Sequence, residues 1–317
     1  MTGTDQPLTV KENDLERALQ ILQEGGLVGM PTETVYGLAA DATDARSIAH
    51  IYAAKSRPQF NPLIAHVDSL ASAQLQGVFD SRAIALAKRF WPGPLTLVVP
   101  VNETATVAEL ARAGLPTIGL RVPAHPIARE LLERFGKPLA APSANPSGRI
   151  SPTSAGDVAG AFGAEVSLVV DGGRSRAGIE STILSVLPGE PVRLLRPGAI
   201  PRESILEVVD ALAEAVAGEV SAPGQLSSHY APSAVVRLNA ATPRRGEVWL
   251  GFGPACRTAD ANLSSSGDLV EAAANLYQML RMLDTAGAAT IAVAPIPSTG
   301  LGEAINDRLA RAAAPRR

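Results

Sequence analysis

Lys55 and Arg57 stand two residues apart in Lys55-Ser56-Arg57-Pro58-Gln59-Phe60-Asn61-Pro62-Leu63, ahead of an apolar run. The prolines limit backbone freedom, so two cations and the Asn61 amide are held ready for an anion. Arginine offers a planar fork that matches phosphate, and lysine a compact charge. The competing reading is a solvated helix C-terminus, where Lys and Arg are common. Arg121 lies inside the apolar run Thr117-Ile118-Gly119-Leu120-Arg121-Val122. An arginine in a strand is costly unless it is paired or faces a ligand, so a structural ion pair and a ligand contact both stay open.

Four further segments carry polar groups at strand ends. Pro31-Thr32-Glu33-Thr34-Val35-Tyr36-Gly37-Leu38 puts two hydroxyls, a carboxylate and a phenol within a few residues. Strand-to-loop junctions are where open α/β sheets place ligands, although Thr32 or Thr34 would equally cap a helix with Tyr36 in the core. Ala141-Pro142-Ser143-Ala144-Asn145-Pro146-Ser147-Gly148-Arg149-Ile150-Ser151 has the composition of a backbone-and-hydroxyl anion cradle, or of a plain Pro-Ser turn. Asp171-Gly172-Gly173, with Arg174 and Arg176, precedes Gly178-Ile179-Glu180-Ser181-Thr182-Ile183, and Leu195-Arg196-Pro197-Gly198 follows. Together they set Lys55, Arg57, Arg121, Arg149 and Arg196 near strand ends with few acids in the same segments. That imbalance favours a multiply anionic ligand such as ATP.

The elements that must position these residues alternate. Asp14 is a candidate cap for a helix carrying Leu15, Ala18, Leu19 and Leu22, stopped by Gly25-Gly26. Leu27–Met30, Leu63–Val67, Leu95–Val99, Thr117–Val122, Val166–Asp171, Ser181–Val186 and Val192–Leu195 read as strands. Helices follow Asp44 and Asp80, and another opens at Pro126 and ends at Gly136. Apolar strands between amphipathic helices predict an α/β fold, a twisted open mixed sheet with flanking helices. A helical stretch over Ile205–Val216 leads into a Pro-, Gly- and Ser-rich linker, Ser221–Pro232, containing His229 and Tyr230. A smaller α/β (Rossmann-like) unit follows, with strands near Ala234–Leu238, Val248–Phe252 and Thr290–Ala294. Its helices start at Asp268 and cover Glu303–Ala313, where Arg308 and Arg311 suit the negative helix end. The expected division is 1–200, a helix and linker at 201–233 folding over the site, and 234–317.

Composition narrows the function classes. The 317 residues are 46% hydrophobic, enough for a substantial core, and 28 Gly with 25 Pro indicate many turns. A net charge of −3 creates no general basic field for nucleic acid or anionic membrane. Cys256 is the one cysteine, which excludes an internal disulfide and multi-cysteine metal sites. The four histidines are scattered, so no protein metal site is expected. No GxxxxGK[ST] or GxSxG is present, and Gly251-Phe252-Gly253 is only a fragment of a dinucleotide fingerprint. The polar N-terminus and the lack of a run of about 18 apolar residues predict a soluble, cytoplasmic protein without membrane contact.

The segments PTETVYGL, KSRP with Asn61, SANPSG and GIESTI, in this order and spacing, resemble the YrdC-like threonylcarbamoyl-AMP synthase family from about Asp14 to Ile200. The linker APGQLSSHYAP and the ending GLGEAINDRL resemble its longer, two-domain form. The resemblance implies that L-threonine, bicarbonate (or CO2) and ATP give threonylcarbamoyl-adenylate and pyrophosphate, for N6-threonylcarbamoyladenosine beside the anticodon of tRNA. It implies that Thr34, His66, Arg121, the backbone at Ala141 and Ser181 hold threonine. By the same resemblance Arg57, Asn61, Thr117, Ser143, Ser151, Arg196 and Tyr230 hold ATP. Lys55 then lies beside the phosphates, Lys55 and Arg57 are catalytic, and Mg2+ enters with ATP. A downstream threonylcarbamoyl transferase is the implied partner, with weak RNA binding left open. His66 on an apolar strand is otherwise read as a core histidine. A carbamoyltransferase acting through carbamoyl-adenylate and a non-catalytic RNA-binding module are the rival readings; 4% aromatic residues give the latter few stacking platforms.

Overall fold

The computed structural model describes residues 12–216, 222–223 and 230–315. Its first part runs α1 (Glu12–Gln23), β1 (Val28–Met30), β2 (Gly37–Asp41), α2 (Ala45–Ala54), β3 (Ile64–His66), α3 (Leu70–Gln76), α4 (Ser81–Phe90) and β4 (Leu95–Pro100). It continues through β5 (Thr117–Arg121), α5 (Pro126–Phe135), β6 (Leu139–Ala140), α6 (Ala155–Phe162), β7 (Leu168–Val169), β8 (Thr182–Ser185) and β9 (Arg193–Arg196). Then come α7 (Arg202–Leu206) and β10 (Ala213–Glu214). Local signals set many boundaries. Asp44 and Asp80 accept backbone N–H groups at the starts of α2 and α4, and Gly136 closes α5 in the left-handed conformation. Asp14 is not the cap of α1. That helix begins at Glu12, and Asp14 stands in its first turn, where an acid also suits the positive helix end.

Ten strands form one mixed sheet in the order β10-β9-β8-β4-β5-β3-β6-β2-β1-β7. Helices α1 and α5 cover one face, packing Leu15, Leu19, Leu22, Leu131 and Phe135 against Met30 and Ala39. A larger apolar cluster joins α2, α4 and α6 to Leu38, Leu97 and Leu120. The helix expected over Ile205–Val216 is corrected: α7 ends at Leu206. Residues 213–214 instead pair in parallel with β9, whose edge supplies backbone partners. Strand β2 escaped sequence reading because Gly-Leu-Ala-Ala-Asp has little β propensity, although all five residues are buried. Helix α6, also unforeseen, is secured by a reciprocal Ser154–Asp157 capping box.

The second domain contributes β11 (Val235–Arg237), β12 (Val248–Gly251), β13 (Ala261–Asn262), α8 (Leu269–Thr285), β14 (Thr290–Val293) and α9 (Leu301–Ala313). Its four strands are parallel in the order β11-β14-β12-β13. Its core takes in Val35, Ile150, Ile179 and Tyr230 as well, so the two domains share one apolar cluster. Gly178 marks how close they come. Its φ of +69° favours glycine, and a Cβ there would lie 2.5 Å from the backbone of Ala273 and Ala274 in α8.

Candidate active site

Strands β3 and β5 run parallel with Ile64 opposite Gly119 and His66 opposite Arg121. Side chains alternate along a strand, so this register brings His66 and Arg121 together on one face. The chain leaving β6 crosses beside them, with the Ala141 amide donating to the Ile64 carbonyl at 3.3 Å and Gly37 bridged to Ser143. Ser181, just ahead of β8, is fixed by a 2.8 Å contact between its hydroxyl and that of Thr96 on β4. A cleft of about 510 Å³ lies between these segments. Thr34, His66, Arg121, Ala141 and Ser181, the implied threonine contacts, all line it. So do Arg57, Ser143, Arg196 and Tyr230 from the implied ATP set.

Arg121 has a partner and a cavity at once. Its guanidinium pairs with Glu33 at 2.6 Å, donates to the Thr34 hydroxyl at 2.9 Å and reaches the Gly93 carbonyl at 3.3 Å. Three of five N–H groups are thereby used, leaving two for a ligand. Of the two sequence readings, the structural ion pair is present in the structure. His66 beside it is buried, its Nδ1 has no hydrogen-bond partner, and burial, then the Arg121 charge, push it down to about 3. It is neutral at physiological pH and able to accept a hydrogen bond. No helix starts at Thr32 or Thr34; the Thr32 hydroxyl instead donates to the Val35 carbonyl in a tight turn. Tyr36 is core, as one reading had it, and its hydroxyl braces the 171–173 loop through the Gly173 carbonyl at 2.7 Å.

Arg57 and Arg196, also in the cleft lining, are buried but take part in no ion pair among the described residues. Arg57 donates to the carbonyls of Asn61 and Pro62 at 3.1 and 2.9 Å, and burial lowers it only to about 10. Arg196 holds the Ser181 carbonyl at 2.9 Å and the Pro223 carbonyl at 3.3 Å. Asn61 does not line the cleft surface, yet both ends of its buried side-chain amide lack a partner. Buried amides are rarely left so. Thr117 stands four residues before Arg121 on the same strand face, about 13 Å away along β5. Ser151 is buried just behind the cleft, donating to Glu180 at 2.6 Å.

Lys55 is neither the solvated helix end nor a cleft-lining cation. It is the C-terminal cap of α2, fully buried, and donates to the backbone carbonyls of Ser143, at 2.5 Å, and Asn145. Burial, then the Arg57 charge, hold it well below the ordinary lysine range. Of the linker, Pro223 and Tyr230 line the cleft and Ala231 donates to the Gly148 carbonyl at 2.8 Å, whereas His229 lies outside the described residues.

Sequence reading missed three features. Asn145 is buried with an unpartnered side-chain oxygen, and its amide nitrogen holds the loop carbonyls of Pro146 and Arg149. Glu180 places a carboxylate in the cleft wall, against the expectation of few acids. Arg308 was assigned to a helix end, but it is buried and paired with Glu180 at 2.7 Å. That contact spans 128 residues of sequence, so neither partner signals it locally.

The architecture is an open mixed α/β sheet with a charged cleft at its strand ends and a second, parallel α/β domain closing one side. Residues 20–198 match the Sua5/YciO/YrdC family model described as "Telomere recombination", and residues 200–314 match "Threonylcarbamoyl-AMP synthase, C-terminal domain". The threonylcarbamoyl-AMP synthase of Pyrococcus abyssi is 39% identical, over 96% of this chain and 95% of its own. That of Bacillus subtilis is 37% identical, over 96% and 94%. The crystal structure of P. abyssi Sua5 complexed with L-threonine superposes with a TM-score of 0.87 at 38% identity, covering 94% of each chain. The chain belongs to the threonylcarbamoyl-AMP synthase (Sua5) family in its two-domain form. No helix among the described residues is long and apolar enough to cross a membrane.

Proposed function

We propose that this chain joins L-threonine, bicarbonate (or CO2) and ATP into threonylcarbamoyl-adenylate and releases pyrophosphate. The carrying observation is a single cleft lined by two chemically different sets of groups: a part-used guanidinium with a hydroxyl and a neutral imidazole, and two buried arginines whose hydrogen bonds go to neutral oxygens. Relatives bearing that enzyme name over nearly their whole length support the reading.

The threonine carboxylate takes the two remaining N–H groups of Arg121, a bidentate geometry only arginine offers. Neutral His66 accepts a hydrogen bond at Nδ1, and Thr34, Ser181 and the backbone at Ala141 complete the pocket. The free amine of threonine adds to CO2, forming a C–N bond and releasing a proton. A carbamate oxygen then attacks the α-phosphorus of ATP, and the bond to the β-phosphate oxygen breaks as pyrophosphate leaves. No protein nucleophile is required; positioning and charge stabilisation supply the catalysis.

Arg57 and Arg196 offset charge on the departing pyrophosphate. Asn61, Thr117, Ser143 and Ser151 hold the nucleotide, and Lys55 acts through the loop whose carbonyls it ties. Mg2+ arrives as MgATP, carried on phosphate oxygens. Pro223 and Tyr230 screen the mixed anhydride from water until the linker releases it. The product is an activated acyl donor for a tRNA-modifying transferase.

Mass spectrometry of the product from ATP, bicarbonate and threonine tests this, with pyrophosphate release expected to stop when threonine is omitted. Release sustained by carbamoyl phosphate without threonine would select the carbamoyltransferase reading; the likeness to HypF, at 16% identity and a TM-score of 0.52, is one of fold alone.

A further inference from the structure

Glu180 is a difficulty for an ATP site. It is 6% exposed, lines the cleft with Arg57 and Arg196, and a bare carboxylate there would repel a polyphosphate. The first domain does not silence that charge alone. Ser151 donates to it at 2.6 Å, and the remaining partners come from the second domain. Arg308 of α9, 1% exposed, donates to Glu180 at 2.7 Å, and the Tyr277 hydroxyl of α8 lies 2.9 and 3.0 Å from its two oxygens.

The same two residues back the linker aromatic that faces the cleft. The Tyr230 ring stacks on Tyr277 with centroids 5.7 Å apart, and the Arg308 guanidinium carbon lies 5.0 Å from the Tyr230 centroid. Arg308 also donates to the Pro197 carbonyl at 2.9 Å, fixing the loop that follows Arg196. One side chain thus touches a wall, a cover and a loop of the cleft.

We propose that Arg308 is a positioning residue of the nucleotide site: by neutralising Glu180 and backing Tyr230, the second domain makes the cleft of the first accept a polyanion. This rests on the reading that the cleft binds ATP. It assigns the second domain a defined electrostatic task. Burial alone would raise the Glu180 carboxyl, and the Arg308 charge, then that of Arg196, overcome this and hold it near 2, so it stays ionised and needs its counter-charge.

A mere domain-joining pair would change stability without regard to ligand charge. The proposed role discriminates, because ATP is a polyanion, with or without Mg2+, and threonine a zwitterion of zero net charge. In the full chain, Arg308→Leu is expected to weaken ATP binding by calorimetry at least tenfold and leave threonine binding within threefold. Adding Glu180→Gln to it should bring ATP affinity back to within threefold of the parent. A folded Arg308→Leu protein with parental ATP affinity, or a double variant as weak as the single, overturns the proposal. If Arg308→Leu does not fold, Glu180→Gln alone decides. Parental or tighter ATP binding supports the proposal, and a loss beyond tenfold overturns it. A parent chain that neither binds ATP nor releases pyrophosphate removes the underlying reading before any variant is compared.

Discussion

Replacing Arg121 with lysine isolates the threonine end of the cleft. The guanidinium makes three protein contacts, to Glu33, Thr34 and Gly93, and keeps two N–H groups for the substrate carboxylate. Lysine retains the charge but carries three donors on one nitrogen. It can keep the Glu33 ion pair, and it then cannot offer two parallel hydrogen bonds to a carboxylate. Losing one charge-assisted hydrogen bond costs about 1.5–3 kcal/mol, which converts to roughly a 10- to 150-fold rise in KM for threonine. The KM for ATP should stay within about threefold, because Arg57 and Arg196, the cations assigned to the phosphates, share none of the hydrogen-bond partners of Arg121. Pyrophosphate release measured against each substrate, with the other saturating, gives both constants. Equal losses in both would mean that Arg121 is only an ion pair inside the sheet. An unchanged threonine KM in a folded variant would remove it from substrate binding.

Arg57→Ala should lower turnover by about 10²–10³, the usual effect of removing one donor aimed at developing charge, while circular dichroism shows the fold retained; parental turnover would exclude the residue from the mechanism. Tyr230→Ala empties a buried site against Tyr277 and should lower the unfolding free energy by about 3–5 kcal/mol in denaturant titrations and weaken ATP binding; unchanged stability and affinity would show that the ring supports neither. His66 predicts a pH effect. Its folded value of about 3 lies below its ordinary 6.5, so the neutral form stabilises the fold above 6.5 and that stability drains away as pH falls toward 3. Between pH 7 and pH 5 the loss from His66 is about 2 kcal/mol, and His66→Gln should flatten the denaturant midpoint across that interval. Glu180, held near 2 against an ordinary 4.5, loses its contribution only below about 4.5, so it adds little between pH 7 and pH 5 and overlaps His66 only at lower pH.

Local signals made much of the fold legible. Asp44, Asp80 and Asp268 cap helices because a short acceptor at that position meets orphan N–H groups, and a sequence displays it directly. The motif loops were visible as polar clusters at strand ends. Their mutual arrangement was not, since the His66–Arg121 register joins strands 55 residues apart and no periodicity encodes which strands pair. The two-residue strand β13 offered no pattern to read, whereas β7 lies inside the strand expected over Val166–Asp171. The direction of Lys55 was equally hidden, because its acceptors lie on a loop about ninety positions away.

The division of labour between lysine and arginine in the cleft follows from that hidden geometry. Burial strips both of water, but the consequences differ. Lys55, with a compact and strongly hydrated ammonium, is driven well below its ordinary range, and its hydrogen bonds go to two backbone carbonyls. Arg57, with a delocalised charge, falls only to about 10 and remains cationic at neutral pH. The residue that looked from its spacing like half of a phosphate clamp is thus a strut under the Ser143–Asn145 loop. On the proposed reading the positive charge presented to the ligand resides on arginines, Arg57 and Arg196 steadied through carbonyls and Arg121 through a carboxylate, a hydroxyl and a carbonyl. An arginine tied to neutral acceptors keeps its full charge for the ligand, whereas one tied to a carboxylate does not. Arg57 is of the first kind, Arg196 hydrogen-bonds only neutral oxygens but feels the nearby Glu180 charge, Arg121 is mixed, and Arg308 is spent on Glu180 and Asp307. On the proposed reading, that order matches the charge each would meet: a polyphosphate, a single carboxylate, and none from substrate.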